Sequence, residues 1–231
     1  MTDKSAIFDD IVAARRSLRG FLPKPADQAT LDTIFSVAQR APSNCNTQPW
    51  QVHVVTGAAK DRVSDAVLAR IKETEGQDDA NTSEFEYYPV EWFEPYISRR
   101  RATGFGLYEA LGIDRKDFAR RTAQMLENFR FFGAPVGLFI TFDRRLAEGT
   151  FMDIGMFIEN ILIGARGEGL HTCGQVAWCP FHQVIRKELG LADEQMFVCG
   201  ISLGREDTSA AENTLRVEKV DIDTFTTFHT D

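Results

Sequence analysis

The chain has 231 residues with a formal net charge of −8; 43% of the residues are hydrophobic and 26% are charged. This composition is typical of one globular domain over residues 1–231, and the negative charge argues against a nucleic-acid partner, since phosphate backbones are bound by clustered Lys and Arg. The apolar runs fall short of the roughly 20 residues that cross a bilayer, and the first residues lack a secretory signal, so we expect a cytoplasmic protein without a membrane partner.

Apolar periodicity predicts helices and a strand in the first third of the chain. Asp27 is a suitable N-cap for a helix with apolar residues at helical spacing up to Ala38. The segment WQVHVVT is rich in β-branched residues and partly alternating, as in a strand. In order, the predicted elements are a helix over 5–16 that ends in arginines, a loop over 21–25, a helix from 28 to before Pro42, a strand over 50–56 and a helix through Val63, Val67 and Ile71.

Residues 76–131 form an aromatic-rich, largely helical excursion. Its first part, 76–97, is acidic and polar at the start and then aromatic, with the sequence Trp92-Phe93-Glu94-Pro95-Tyr96 near its end. Linkers are rarely so aromatic, so we expect this segment to cover the core rather than to join two domains. Helical spacing returns over 98–111 and 114–131.

The second half of the chain predicts strands around one unusually apolar helix. That helix is hydrophobic on nearly all sides, which indicates burial in a core or in an interface. The last 25 residues are extended and carry Phe225 and Phe228, which a partner subunit would cover. The predicted elements are a buried strand over 136–142, the apolar helix over 151–165, a strand over 171–176, a helix over 181–189 and a strand over 197–203.

These elements lack the regular β-α-β order of a doubly wound sheet, and no G-x-G-x-x-G follows a strand, so a Rossmann nucleotide site is not indicated. We expect a mixed sheet with helices packed around it. The cysteines form no C-x-x-C pair and show no metal-ligand spacing with the histidines, which predicts free thiols and no bound metal. The cysteines are Cys45, Cys173, Cys179 and Cys199.

A cluster of arginines follows the first helix, in the sequence Arg15-Arg16-Ser17-Leu18-Arg19. Guanidinium groups give bidentate, charge-assisted hydrogen bonds, and a serine adds a short donor, so the set suits a phosphate monoester. The alternative is a solvated basic end of a helix, which the helix dipole favours without any ligand.

A second polar cluster lies between a helix and a strand, in the sequence Ala41-Pro42-Ser43-Asn44-Cys45-Asn46-Thr47-Gln48-Pro49-Trp50. Amides and hydroxyls offer both donors and acceptors, which suits the edge of a heteroaromatic ring such as the pyrimidine side of a flavin. The alternative is a loop whose Asn, Ser and Pro residues make turns for local reasons.

These two motifs, at this spacing, resemble those of the nitroreductase family of FMN enzymes. The resemblance continues through the apolar helix at 151–165, the segment Gly-Leu-His-Thr-Cys-Gly-Gln at 169–175, and the ending Gly204-Arg205…Asn213-x-x-Arg216. It implies an α+β fold with a mainly antiparallel sheet, and an intertwined homodimer in which the C-terminal tail reaches the partner.

The resemblance also assigns cofactor-binding residues. Arg15, Arg16 and Ser17 would contact the phosphate and ribityl side of FMN, and Arg19 would lie near flavin N1 and O2, where negative charge gathers on reduction. Arg216 would be a second phosphate ligand, and Arg205 a further candidate. The loop residues Pro42, Ser43, Asn44, Asn46 and Gln48 would reach the flavin of the other subunit, and the backbone of Gly174, Gln175 and Val176 would face the ring, with an N–H near N5.

The excursion departs from the usual family pattern and is similar to a subgroup that includes nitrobenzoate reductases. This likeness suggests a small aromatic substrate that carries a carboxylate, with Tyr96 and Arg100 as substrate residues. The alternative for Arg99, Arg100 and Arg101 is a solvated helix face, and the alternative for the aromatic run is core packing under a lid.

The activity implied by the resemblance is a ping-pong transfer of hydride from NADH or NADPH, through flavin N5, to a nitroaromatic acceptor. No side chain is assigned as a general base or nucleophile, since the cofactor carries the chemistry. Reduction of quinones or enones, reductive dehalogenation and oxidative flavin chemistry use the same kind of site. A flavin-binding protein without catalysis, and an α/β protein without cofactor, are alternatives of other classes.

Overall fold

The structure is a computed structural model that describes residues 3–77 and 80–230. No helix in these two ranges is long and apolar enough to cross a membrane. The elements, in chain order, are α1 (Lys4–Ala14), β1 (Phe21–Leu22), α2 (Gln28–Ala38), β2 (Trp50–Thr56), α3 (Gly57–Glu73), α4 (Tyr96–Ala110), α5 (Phe118–Leu126), β3 (Val136–Asp143), α6 (Thr150–Gly167), β4 (His171–Gln175), α7 (His182–Leu189) and β5 (Gln195–Glu206).

The strands form one sheet in which β5 is the hub. The order is β1-β5-β3-β2, and β4 also pairs with β5. Among the described residues every strand pair is antiparallel, and one isolated parallel bridge joins Ser17 to Thr172. The predicted α+β class with a mainly antiparallel sheet is therefore confirmed.

Helices and loops cover both faces of the sheet. On one face, Ile34 of α2 and Ile161 of α6 pack against Leu138 and Ile140 of β3. The other face carries aromatic residues, among them Trp178, which is fully buried. The Trp178 indole lies directly on Gly200 of β5, where an added Cβ would come within 2.5 Å of the ring.

The first helix is shorter than its pattern predicts, and it ends before the arginines. Arg15 is already extended, with φ −67° and ψ 121°, and Ser17 bridges to Thr172. Part of the predicted loop after it is the short strand β1, in which Phe21 pairs with Glu206. Both predictions were wrong at these points because pairing with distant strands overrides local periodicity.

Two other helices also differ from expectation. The helix predicted over 114–131 ends at Leu126, and a 3-10 segment, Glu127–Gly133, follows. Within that segment Phe131 and Phe132 have φ of 52° and 53°, and both rings are buried in the core. Helix α6 is buried on one side only: Met152 is 73% exposed, so the apolar pattern here exceeds what the core of one chain covers.

Candidate functional site

The segment that follows α1 is extended at Arg15, pairs with β4 at Ser17 and bends at Arg19. The Leu18 N–H donates to the carbonyl of Thr172 at 3.1 Å, and the Leu18 side chain is buried in the core. Because successive side chains of extended backbone point to opposite sides, Arg15 and Ser17 lie on the side away from Arg16. The Ser17 hydroxyl and the Arg19 guanidinium both lie near the Cys173 thiol, whose pKa is raised by burial.

Arg16 points the other way and is held by protein groups. Its guanidinium donates to the Glu206 carboxylate and to the Asn213 carbonyl, each at 2.5 Å. Glu206 also lies 3.4 Å from the imidazole of His171. The structure therefore separates Arg16 from Arg15 and Arg19, with which the sequence grouped it.

His171 belongs to the same network and is held neutral. Burial, together with the neighbouring Arg166 guanidinium, lowers the pKa of His171 to about 4, although Glu206 acts in the opposite direction. The Arg166 Nη1 lies 3.0 Å from the imidazole Nε2. An uncharged ring at this position accommodates the two arginines on either side of it.

Asn213 joins the C-terminal segment to this cluster. The side chain is 4% exposed; its oxygen accepts from the Arg19 N–H at 2.9 Å, and its amide donates to the carbonyls of Gly20 and Asp207 at 2.8 and 2.9 Å. The carbonyl of Asn213 accepts from Arg216 at 2.9 Å as well as from Arg16. Residues from the two ends of the chain thus meet at Asn213.

The remaining arginines of the predicted set occupy different surroundings. Arg15 lies 3.6 Å from the half-exposed carboxylate of Glu159 on α6. Arg205 is exposed and lies near Asp27, whose pKa is lowered mainly by the hydrogen bonds of its helix cap and slightly by this arginine. Since Arg205 and Glu206 alternate along β5, Arg205 faces away from the Arg16 cluster.

The polar loop before β2 has an unusual backbone. Cys45, Asn46 and Gln48 have φ of 49°, 55° and 47°, a region that costs energy for residues other than glycine. The conformation is fixed by hydrogen bonds, since the Asn44 N–H donates to the buried carboxylate of Asp153 at 3.2 Å, and the Gln48 N–H donates to the Ser43 hydroxyl at 2.9 Å.

The side chains of this loop face outward. Pro42, Asn44, Asn46 and Gln48 are exposed, and Ser43 is partly buried. Strained backbone that is held by a buried carboxylate is a feature of binding sites, where it presents side chains in a fixed direction. The loop therefore presents amide donors and acceptors at the surface of this chain.

The end of β4 opens into a large cavity of about 1270 Å³. Gly174, Gln175 and Val176 line it, and an added Cβ on Gly174 would meet no atom within 4 Å. The Gln175 side chain is buried and bound, since it donates to the Asn128 carbonyl at 2.7 Å and accepts from the Ser202 hydroxyl at 2.6 Å. What this residue offers to the cavity is therefore its backbone.

Four residues of the excursion form an aromatic wall of this cavity, and we use that name for Phe85, Tyr87, Tyr88 and Trp92. Consecutive members are in ring contact, with centroids 5.0 Å apart for Tyr87 and Tyr88 and 5.7 Å for Tyr88 and Trp92. The aromatic run thus lines a cavity, and several of its rings are exposed rather than packed in the core.

The two predicted substrate residues lie differently with respect to the wall. The Arg100 guanidinium lies over the Trp92 ring, 4.9 Å from its centroid, and so borders the cavity lining. Tyr96 is half exposed and packs against Phe93 and Arg99. The structure brings Arg100, but not Tyr96, next to the wall.

Sequence reasoning missed the residues that hold the site in place. Asp153 fixes the polar loop, Asn213 fixes the arginine segment, and Glu84 fixes the start of the aromatic wall through contacts with Arg144 and Arg186. Asn213 belongs to the C-terminal motif that ends at Arg216, but its contacts join residues nearly 200 positions apart. No local pattern marks Glu84 or Asp153.

Comparisons with known proteins show the family of this chain. The model of the Nitroreductase family matches residues 12–205. The chain is 41% identical to a nitrobenzene nitroreductase of Ectopseudomonas oleovorans over 224 residues, which is 97% of each protein. It is 38% identical to a 4-nitrobenzoate reductase of Pseudomonas putida over 96% of this chain and 95% of that protein.

A solved structure shares the whole architecture. It is the FMN and NADPH-dependent nitroreductase NfnB from Sphigopyxis sp. strain HMH, which superposes with a TM-score of 0.92 at 38% identity and covers 97% of this chain and 99% of that one. NfnB of Mycobacterium smegmatis, solved in complex with NADPH, has a TM-score of 0.92 at 30% identity and covers 99% of this chain and all of that one.

Proposed function

The chain belongs to the nitroreductase family, and we propose that it is an FMN-dependent oxidoreductase that passes hydride from NADH or NADPH to a nitroaromatic acceptor. Relatives that match nearly its full length are named for the reduction of nitrobenzene and 4-nitrobenzoate. The proposal does not depend on names alone, because the donor set of this chain suits the cofactor.

One observation carries the proposal: the arginine segment and the cavity are joined by β4. Ser17 bridges to Thr172 near one end of this strand, and Gly174–Val176 open into the cavity at the other. At about 3.3 Å per residue, the distance along the strand from Thr172 to Gln175 is about 10 Å. A phosphate group at one end and a planar ring at the other fit this arrangement.

The residues that would hold FMN divide by chemistry. Arg15, Ser17 and Arg216 would bind the phosphate and the ribityl side, because guanidinium and hydroxyl donors match phosphate oxygens. Arg19 would lie at the electron-rich edge of the ring, and the backbone of Gly174–Val176 would face it. Arg16 would hold this segment of the chain in place, since its guanidinium is bound to Glu206 and Asn213.

Bound FMN would supply the hydride chemistry, taking two electrons from a reduced nicotinamide and delivering them to the acceptor. The chain itself would contribute position and electrostatics. Arg19 would stabilise negative charge on the reduced ring, and the aromatic wall would hold a planar substrate against it while excluding water. No side chain is required as a general base.

We further propose that the active form is a homodimer. Apolar side chains that one chain leaves exposed are found on α1, α6 and the C-terminal tail, with Phe8 58%, Met152 73%, Phe225 70% and Phe228 78% exposed. Exposed apolar surface of this extent indicates an interface. In such a dimer Asn44, Asn46 and Gln48 would complete the flavin site of the partner.

Arg100 would select acceptors that carry a carboxylate. Its guanidinium is exposed and stacks on a ring of the aromatic wall, so it can pair with an anion on a substrate that enters the cavity. Tyr96 remains a proposed substrate residue through its place one helical turn before Arg100.

An anaerobic titration tests the proposed function. The purified protein is expected to be yellow, its flavin to bleach on addition of NADH or NADPH, and its colour to return on addition of nitrobenzene or 4-nitrobenzoate. A flavin that does not bleach would indicate a binding protein, and reoxidation only by quinones or halogenated phenols would indicate one of the other reductase activities. A colourless protein that takes up no added FMN would overturn the proposal.

A further inference from the structure

Glu84 lies at the beginning of the aromatic wall and is nearly buried, with 8% of its side chain exposed. One carboxylate oxygen accepts from the Arg144 guanidinium at 2.5 Å and from the Arg186 guanidinium at 3.4 Å. The other accepts from the backbone N–H of Phe197 at 2.7 Å. The carboxylate therefore ties the excursion to the end of β3, to α7 and to β5.

Both arginines are committed to this region independently of Glu84. Arg144 donates to the carbonyls of Asp193 and Gln195, and Arg186 donates to those of Ala192 and Gln195. Because these contacts bring two positive charges close together, a negative charge between them offsets their mutual repulsion. Glu84 supplies that charge.

The wall continues from this point through ring contacts. Phe85, the next residue, packs on Phe151 of α6 with centroids 4.7 Å apart and meets Tyr87 at 6.4 Å. The segment from Ser83 to Tyr88 contains no helix or strand of its own, so its position rests on such contacts. The contacts of Glu84 therefore fix the positions of the aromatic rings that follow it.

We propose that Glu84 is a positioning residue that sets the width of the acceptor slot by fixing the aromatic wall relative to the backbone of Gly174–Val176. The inference rests on the proposed function for the identity of the occupant, an aromatic acceptor. It assigns no chemical step to Glu84, which acts through Phe85 and the rings that follow.

The variant Glu84→Gln tests this role. Glutamine keeps the size of the side chain and an acceptor for the Phe197 N–H, but it leaves Arg144 and Arg186 without their counter-charge. The matched control is Glu188→Gln. Glu188 lies on the same helix as Arg186, and its carboxylate pairs with Arg62 at 3.3 Å and has no contact with the aromatic wall.

The first measurement is hydrogen exchange of the peptide that covers residues 83–92 in the purified protein, with and without added FMN. We expect exchange there to be at least about tenfold faster in Glu84→Gln than in the parent, as for a segment that has lost its anchor, with the rest of the chain unchanged. This measurement does not require any enzymatic activity, so it judges the anchor even if the proposed function fails.

The second measurement is the binding of nitrobenzene to the oxidised protein in the absence of nicotinamide. Binding is monitored through the change in the absorption spectrum of the flavin. The dissociation constant is expected to rise roughly tenfold in Glu84→Gln at equal flavin content, because a displaced wall positions the ring poorly. In turnover the same variant should raise KM for nitrobenzene more than it lowers kcat, whereas a smaller folded fraction would lower kcat alone.

Several results would overturn the proposal. Unchanged hydrogen exchange over residues 83–92 would show that Glu84 does not anchor the aromatic wall. Faster exchange with unchanged nitrobenzene binding would show that the position of the wall does not affect binding of the acceptor. If Glu84→Gln does not fold, Arg144→Gln serves instead, since that guanidinium is partly exposed and its loss is milder. It should shift both measurements in the same direction, and no shift in either would count equally against the proposal.

Discussion

Arg16 and Arg216 lie near opposite ends of the chain and donate to one and the same carbonyl oxygen, that of Asn213, at 2.5 and 2.9 Å. The contact places the C-terminal segment against the segment that carries Arg15 and Arg19. Two guanidiniums can converge in this way because Glu206 neutralises the first of them.

Replacing Asn213 with alanine is expected to lower the free energy of unfolding by about 2–3 kcal/mol, because buried backbone groups lose their partners. The groups affected are the Arg19 N–H and the carbonyls of Gly20 and Asp207. Urea denaturation measures the change, with Thr208→Ala at an exposed position nearby as the control. Equal stability of the two variants would refute the role of Asn213.

Replacing Arg15 with alanine, or Arg216 with alanine, should weaken FMN binding roughly 10- to 100-fold, since a hydrogen bond to a charged group contributes about 1.5–3 kcal/mol. Riboflavin, which lacks the phosphate, should lose little. Fluorescence titration of the apoprotein with both flavins measures the two affinities. Arg205→Ala is the comparison, because Arg205 faces Asp27 instead, and equal losses for FMN and riboflavin would exclude the phosphate assignment.

The dimer proposal predicts complementation between two defective subunits. Asn46→Ala and Arg15→Ala should each lower flavin retention when present in both subunits. If the loop of one subunit completes the site of the other, a mixed dimer contains one site with both defects and one intact site. Flavin content should therefore recover in half of the sites of mixed dimers, and absence of recovery would indicate that the loop serves its own chain.

His171 predicts a pH dependence of stability. Its pKa is about 4 in the folded protein and about 6.5 in an unfolded chain, so between these values the unfolded state binds a proton that the native state does not. Stability should therefore fall as the pH drops from about 6.5 to about 4, by about 2 kcal/mol after allowance for solvent screening and for the nearby Glu206.

The measurement is urea denaturation of the parent and of His171→Gln over this pH range. The other histidines are the same in both proteins, so the difference between the two isolates His171. The variant should show a smaller decrease than the parent. Parallel curves would mean that His171 is protonated in the folded protein to the same extent as in the unfolded chain.

Arg100 predicts a change in acceptor preference. Arg100→Gln should raise KM for 4-nitrobenzoate roughly fivefold, the effect of one exposed ion pair, and leave KM for nitrobenzene unchanged. Arg101→Gln on the same helix is the control. Equal changes for the charged and the uncharged acceptor would exclude recognition of the carboxylate.

The sequence predicted the elements of the fold better than their ends. Trp50–Thr56 was confirmed at both bounds because its β-branched residues and the preceding proline are local signals. The end of α1 and the strand Phe21–Leu22 depend on pairing with Thr172 and with Arg205 and Glu206, which no window of the local sequence contains.

The site shows the same limit. We grouped Arg16 with Arg15 and Arg19 because they are close in sequence. Such a grouping applies at the end of a helix, but in extended backbone the side chains of neighbouring residues point in opposite directions. Glu84 stood in an acidic segment and carried no motif, because its importance arises from two arginines that are distant in the chain. Residues that touch a ligand tend to form motifs, whereas residues that hold those ligands in place often do not.

The extended course of the chain from Arg15 to Leu18 has a consequence for how this protein can change. Odd and even positions there serve separate purposes, so a point substitution alters one purpose at a time, but the gain or loss of a single residue would exchange them all. Such a shift would turn Leu18 toward solvent and direct charged groups into the core. Length in this segment should therefore be far less variable among functional descendants than residue identity.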